Sequence, residues 1–194
     1  MDHEDYLSRL LPRRLDALAI GVLMLHLRLK WQEPKPIQIF VDGRLQFEGR
    51  TSLFLNPILE LGVLHARALL EFIGLKSTVG QLSQLDPKTR NRDDAAIEKL
   101  VGPSGTLPLV TPDQVGAMHP NDPHEAEQAL VRVIVAAHKG VAHSSSTYLT
   151  NPASAKEILL AFQLTQELVE AYVYRPLGRV RPLLPIQERA REVG

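Results

Sequence analysis

The densest run of groups able to move a proton or hold an anion is Arg132-Val-Ile-Val-Ala-Ala-His138-Lys139-Gly140-Val-Ala-His143-Ser144-Ser145-Ser146. Histidine titrates nearest neutral pH, so His143 or His138 could serve as general acid or base beside an RNA phosphate. Arg132 or Lys139 would neutralise the charge. At 100° per residue Arg132, Lys139 and His143 share one helical face, whereas His138 points about 140° from His143. The two imidazoles converge only where the helix ends or distorts, which Gly140 permits. The alternative is structural: Arg132 and Lys139 form a solvated face, and His143 sits where a helix C-terminus favours positive charge. Ser144 and the serines after it either hold a phosphate or make a simple loop.

Outside that run, His65 lies on the apolar stripe of a helix. There it is either a neutral buried imidazole with both nitrogens satisfied or the lining of a ligand pocket between helices, with Arg67 two residues on as a binding cation. His119 and His124 stand in a Pro-rich loop without a carboxylate cluster, a poor metal set. The chain has no phosphate-cradling glycine loop, no His-Glu-x-x-His, no Gly-x-Ser-x-Gly, no EF-hand loop and no Glu-x-x-His pair for a di-iron bundle. No metal and no cofactor are expected.

Composition bounds the setting of this chemistry. The 194 residues suit one domain. Lys and Arg total 22 against 22 for Asp and Glu, so no global field draws the chain to nucleic acid or to an anionic membrane. With no cysteine, disulfides and thiolate chemistry are excluded, and a reducing compartment, the cytoplasm, is expected. The start, Met1-Asp2-His3-Glu4-Asp5, is acidic where a secretory signal would be basic. The most apolar stretch, Ala17 to Leu25, is about half of the roughly 20 residues that span a bilayer, so no membrane partner is expected.

The elements that must position these residues follow from periodicity. Leu7, Leu11, Leu15, Leu18, Val22, Leu25 and Leu29 recur at helical spacing from Tyr6 to Leu29, although residues 25–31 alternate strictly and also suit a strand. Pro34 and Pro36 break the chain, and Ile37–Val41, Asp42-Gly43 and Arg44–Glu48 read as a β-hairpin around a type I′ turn. Asn56-Pro57 reads as a cap and first helical position for a helix to Ile73. Asn121-Asp122-Pro123 opens a third helix running toward His143, and Asn151-Pro152 a fourth ending before Pro176. Residues 76–120 read as an irregular connection with one short helix near Asp93–Leu100. The expectation is a mainly α, four-to-five-helix bundle over residues 1–175 with a small β-hairpin (about 37–48) inserted after helix 1. An Arg/Pro-rich tail, 176–194, is extended over the surface or mobile.

Leu64-His65-Ala66-Arg67-Ala68-Leu69-Leu70-Glu71-Phe72-Ile73 and His138-Lys139-Gly140-Val141-Ala142-His143 resemble the HEPN-like helical-bundle superfamily over about residues 52–175. The resemblance implies a four- or five-helix bundle, often dimeric, and an RNA-cleaving toxin or defence activity that rests on an arginine, a short spacer and a histidine near a helix end. His143 matches that histidine. The arginine position falls on His138, and Arg132 lacks the polar residue that usually follows. Two functions are therefore carried forward. One is a metal-independent ribonuclease or RNA-binding homodimer, with His143, His138 and Arg132 as its site and Lys139 and Ser144 beside it. The other is a non-enzymatic module whose hairpin or arginine-rich tail recruits another protein.

Overall fold

The computed structural model describes residues 3–31, 33–138 and 152–182, and the chain is mainly α. Helical turns at His3–Asp5 and, π-helical, at Tyr6–Leu10 lead without a break into α1 (Leu11–Lys30). Residues 25–30 are thus helix rather than strand. Leu25 and Leu29 fall on the 3.6-residue stripe and pack into the core, and that burial outweighs the alternation of their neighbours. Trp31 turns extended, with φ −96° and ψ 111°, ahead of Pro34 and Pro36.

Strands β1 (Pro36–Val41) and β2 (Arg44–Arg50) pair antiparallel, with Asp42 at φ +50° and Gly43 at φ +74° in the turn. Both values are what a type I′ turn demands. The register shifts between Ile39 and Phe40, and the ribbon stays largely exposed on both sides.

Helix α2 (Ser52–Ile73) begins five residues before the position the Asn56-Pro57 signal predicts, and Pro57 lies inside it. A proline this close to the start removes the bond to the carbonyl of Leu53, a residue 60% exposed. Leu55 and Leu59 bury the opposite side and hold the first turns in place. The Thr51 hydroxyl does not cap the helix but accepts the backbone N–H of Lys35 at 3.0 Å, fastening the base of the hairpin. Gly74, at φ +99°, closes α2 by donating its N–H to the carbonyls of Leu70 and Glu71.

The stretch 76–120 is more ordered than its sequence suggests. It holds β3 (Leu75–Thr78) paired with β4 (Gln81–Gln84), the two-residue strands β5 (Val101–Gly102) and β6 (Gly105–Thr106), and helix α3 (Pro112–Met118). The short helix expected near Asp93–Leu100 is only a 3-10 turn at Ile97–Lys99. Ala96 is extended at φ −152°, and the Lys99 ammonium is drawn back onto the carbonyls of Arg92 and Asp94. Helix α4 (Pro123–Ala136) starts where Asp122 accepts the N–H of Glu125 at 2.9 Å. Helix α5 (Pro152–Val169) continues through a π-helical turn, Glu170–Tyr174, into residues 175–182.

Helices α1 and α2 run antiparallel, with Arg14 opposite His65 and Arg28 opposite Asn56, and α5 packs against both. The wedge between them is Phe162. Its ring lies so close to Gly21 and Gly62 that a Cβ at either would fall 2.6 Å or 2.7 Å from it. Among the described residues α2 alone is long and apolar enough to cross a membrane. Its Leu59, Val63, Ala66, Leu69 and Leu70 are fully buried among the other helices, as in any core helix.

Candidate functional site

Of the residues singled out for chemistry, Lys139, His143 and Ser144 lie outside the described residues, while Arg132, His138, His65 and Arg67 lie within them. Arg132 and His138 are both exposed near the C-terminal end of α4, but six residues apart on a helix places them about 120° from each other. The Arg132 guanidinium is engaged by Glu157 of α5, Nε to Oε2 2.9 Å, an ion pair that ties the two helices together. A phosphate at Arg132 would have to compete with that carboxylate. The geometry therefore brings an acidic group to Arg132 and does not bring His138 to it.

The segment around His65 is a separate place. Arg67 donates Nε to Glu71 Oε1 at 2.9 Å one turn further along α2, an ordinary i,i+4 pair. His65 Nδ1 is 3.2 Å from Arg14 Nη1 of α1. A guanidinium only donates, so His65 accepts through Nδ1 and carries its proton on Nε2 as a neutral ring. Burial lowers its pKa from the ordinary 6.5, and the charges of Arg14 and Arg13 lower it further. This partnership joins residues 51 positions apart, so no spacing in the sequence signals it.

A pH dependence follows from this pair. Because the folded pKa lies below the unfolded one, the unfolded chain binds the proton more readily. His65 thus contributes stability that is fully present above about pH 6.5 and is lost as pH falls from there toward the folded value. His65→Gln, which has no proton to gain, is expected to flatten the fall in melting temperature between about pH 7 and pH 5. Parallel melting curves of wild type and variant check this, and equal slopes would remove His65 as the cause.

Sequence reasoning missed two further groupings. Seven large apolar side chains stay exposed on the hairpin and on α2. They are Phe40 (57%), Val41 (53%), Leu45 (48%), Phe47 (38%), Leu53 (60%), Leu61 (49%) and Leu64 (40%). Phe47 and Leu53 both reach Gly49, the Phe47 ring meets Phe54 edge-on at 4.9 Å, and Leu53, Leu61 and Leu64 recur on one face of α2. Hairpin and helix thus share an apolar seam at Phe47, Leu53 and Phe54, with the other exposed side chains to either side of it. The individual leucines were visible in the sequence, but nothing there distinguished the uncovered ones from those in the core. The second grouping is at the tail. Arg179 and Arg181 do not face solvent freely but turn onto Glu4 and Asp16 of the N-terminal helical region.

Among the described residues no group of His, Asp and Glu is arranged to hold a metal ion. The chain matches no protein-family model, and no curated protein and no solved structure is significantly similar to it.

Proposed function

We propose that this chain is a HEPN-like four-to-five-helix bundle, with the β-hairpin inserted after α1, that works as a homodimeric protein-interaction module rather than as an enzyme. The observation that carries the reading is the apolar surface shared by the hairpin and α2. Its seven side chains leave on the order of 600–700 Å² exposed in all, but Phe40 and Val41, neighbours in β1, lie on opposite faces of the ribbon, so the area on any one face falls within the roughly 300–600 Å² of the largest patch on a typical monomer. An isolated two-stranded ribbon is at best marginally stable in water, so a surface that rests partly on one gains order when it is covered. The stripe Leu53, Pro57, Leu61 and Leu64 on α2 is apolar with Glu60 on the same face, so a second copy lying across it by two-fold symmetry must leave the two Glu60 carboxylates at the solvated rim. The lack of cysteine suits a cytoplasmic setting.

The RNA reading keeps one supporting observation, the exposure of both Arg132 and His138 at one end of α4, beside the motif that continues to His143. One experiment separates the two. Wild type is expected to run as a dimer by light scattering at micromolar concentration. Leu61→Arg is expected to weaken the dimer at least a hundredfold, with a melting temperature equal to that of wild type once both are dilute enough to be monomeric, because the site is half-exposed in the single chain. A wild type that is monomeric at 100-fold higher concentration overturns the interface. Cleavage or binding of an RNA pool that His143→Ala and Arg132→Ala abolish, in a protein indifferent to Leu61→Arg, would replace the interaction reading with the RNA one.

A further inference from the structure

The C-terminal segment 175–182 crosses back over the N-terminal helical region and is held there by two arginines. Arg179 makes a bidentate pair with Glu4, Nη1 to Oε1 2.9 Å and Nη2 to Oε2 2.6 Å, at the surface. Arg181 goes inward. Its side chain is 14% exposed, its Nη1 donates to Gln166 Oε1 at 3.3 Å, and its Nη2 stands 3.7 Å from Asp16 Oδ1. The Asp16 side chain is only 8% exposed, and Tyr174, beside both, is 1% exposed.

This cluster is chemically a guanidinium receptor that its own arginine fits badly. A charge-assisted N–H to carboxylate bond is normally 2.7–2.9 Å, and an arginine on a carboxylate normally forms the two-pronged fork. Here Asp16 Oδ1, Tyr174 Oη and Arg181 Nε and Nη2 are all buried without a hydrogen-bond partner among the described residues. Leaving such groups unpaired costs free energy that a better-seated cation would recover. Burial raises the Asp16 pKa, and Arg181 pulls it back through both its charge and its side-chain contact. An open cavity of about 360 Å³ adjoins the site, lined by Gln166, Glu167, Glu170, Arg175 and Arg181 among others. Its two carboxylates offset its two guanidiniums, so the approach carries no net charge while Arg181 is seated.

We propose that Asp16, Gln166 and Tyr174 form a guanidinium-binding site in which Arg181 is a displaceable resident, so that an arginine-bearing segment of another chain can take its place and lift the strap 175–182. The site lies apart from the hairpin surface and does not depend on the interaction reading.

Chemical rescue tests it on the full-length chain. Arg181→Ala is expected to lower the melting temperature, and methylguanidinium in the millimolar range should restore at least half of the loss in a saturable manner. Methylammonium at equal ionic strength should not, and Asp16→Asn placed on Arg181→Ala should abolish the rescue. If the alanine variant does not fold, Arg181→Met keeps the packing of the stem, and wild type offers a second readout. There methylguanidinium should speed amide exchange in residues 177–182 several-fold more than methylammonium does. Equal effects of the two cations on the variant, or rescue that survives Asp16→Asn, overturn the proposal.

Discussion

Phe162→Ala is expected to cost about 3–5 kcal/mol of stability. The ring is fully buried and wedged between α1 and α2 at the two places where glycine lets it in. The same geometry predicts a change of sign. Gly62→Ala places a methyl 2.7 Å from the ring. Overpacking of this kind costs about 1–3 kcal/mol, more than the about 0.5–1 kcal/mol that replacing a mid-helix glycine by alanine returns. In a Phe162→Leu background the obstruction is gone and the helix-propensity gain remains, so Gly62→Ala should become stabilising. Urea titrations of the four proteins measure the cycle. An equal cost of Gly62→Ala in both backgrounds would mean that the glycine is not there to admit the ring.

The second large effect belongs to Arg90. Its side chain is 8% exposed, its Nε lies 2.9 Å from Glu98 Oε1, and its Nη2 donates to the carbonyls of Glu71 at 2.6 Å and Phe72 at 3.3 Å. One guanidinium therefore serves the loop acid, the Phe72 carbonyl at the end of α2, and the Glu71 carbonyl that Gly74 also caps. Arg90→Met strands a partly buried carboxylate and removes a donor from the Phe72 carbonyl, and about 3 kcal/mol of stability should be lost. Adding Glu98→Gln should return part of it, because the uncompensated charge is then absent. A cost for Arg90→Met below about 1 kcal/mol would show that water replaces the guanidinium at both ends.

These two sites mark where reading the chain succeeds and where it stops. The stripe from Leu7 to Leu29, the Asp42-Gly43 turn and the Asp122-Pro123 helix start were all legible, because each is decided by residues within a few positions of one another. The Thr111–Gln114 capping box that opens α3 is equally local, but it lies inside a stretch whose prolines and glycines read as irregular. Pro57 misled for the converse reason. A proline at a helix start and a proline in the second turn look alike until burial of Leu55 shows that the helix began earlier.

The candidate site divides in the same way. That Arg132, His138, Lys139 and His143 concentrate possible acid-base chemistry is a property of the sequence, as are the neutral charge balance and the lack of cysteine. That Arg132 is paired with Glu157, that His65 accepts from Arg14, that Arg181 is buried against Asp16 and that Leu53, Leu61 and Leu64 are left uncovered were decided only by the tertiary structure. Each of these joins or separates groups far apart along the chain. Their energies arise from desolvation and packing between helices, which local spacing does not encode.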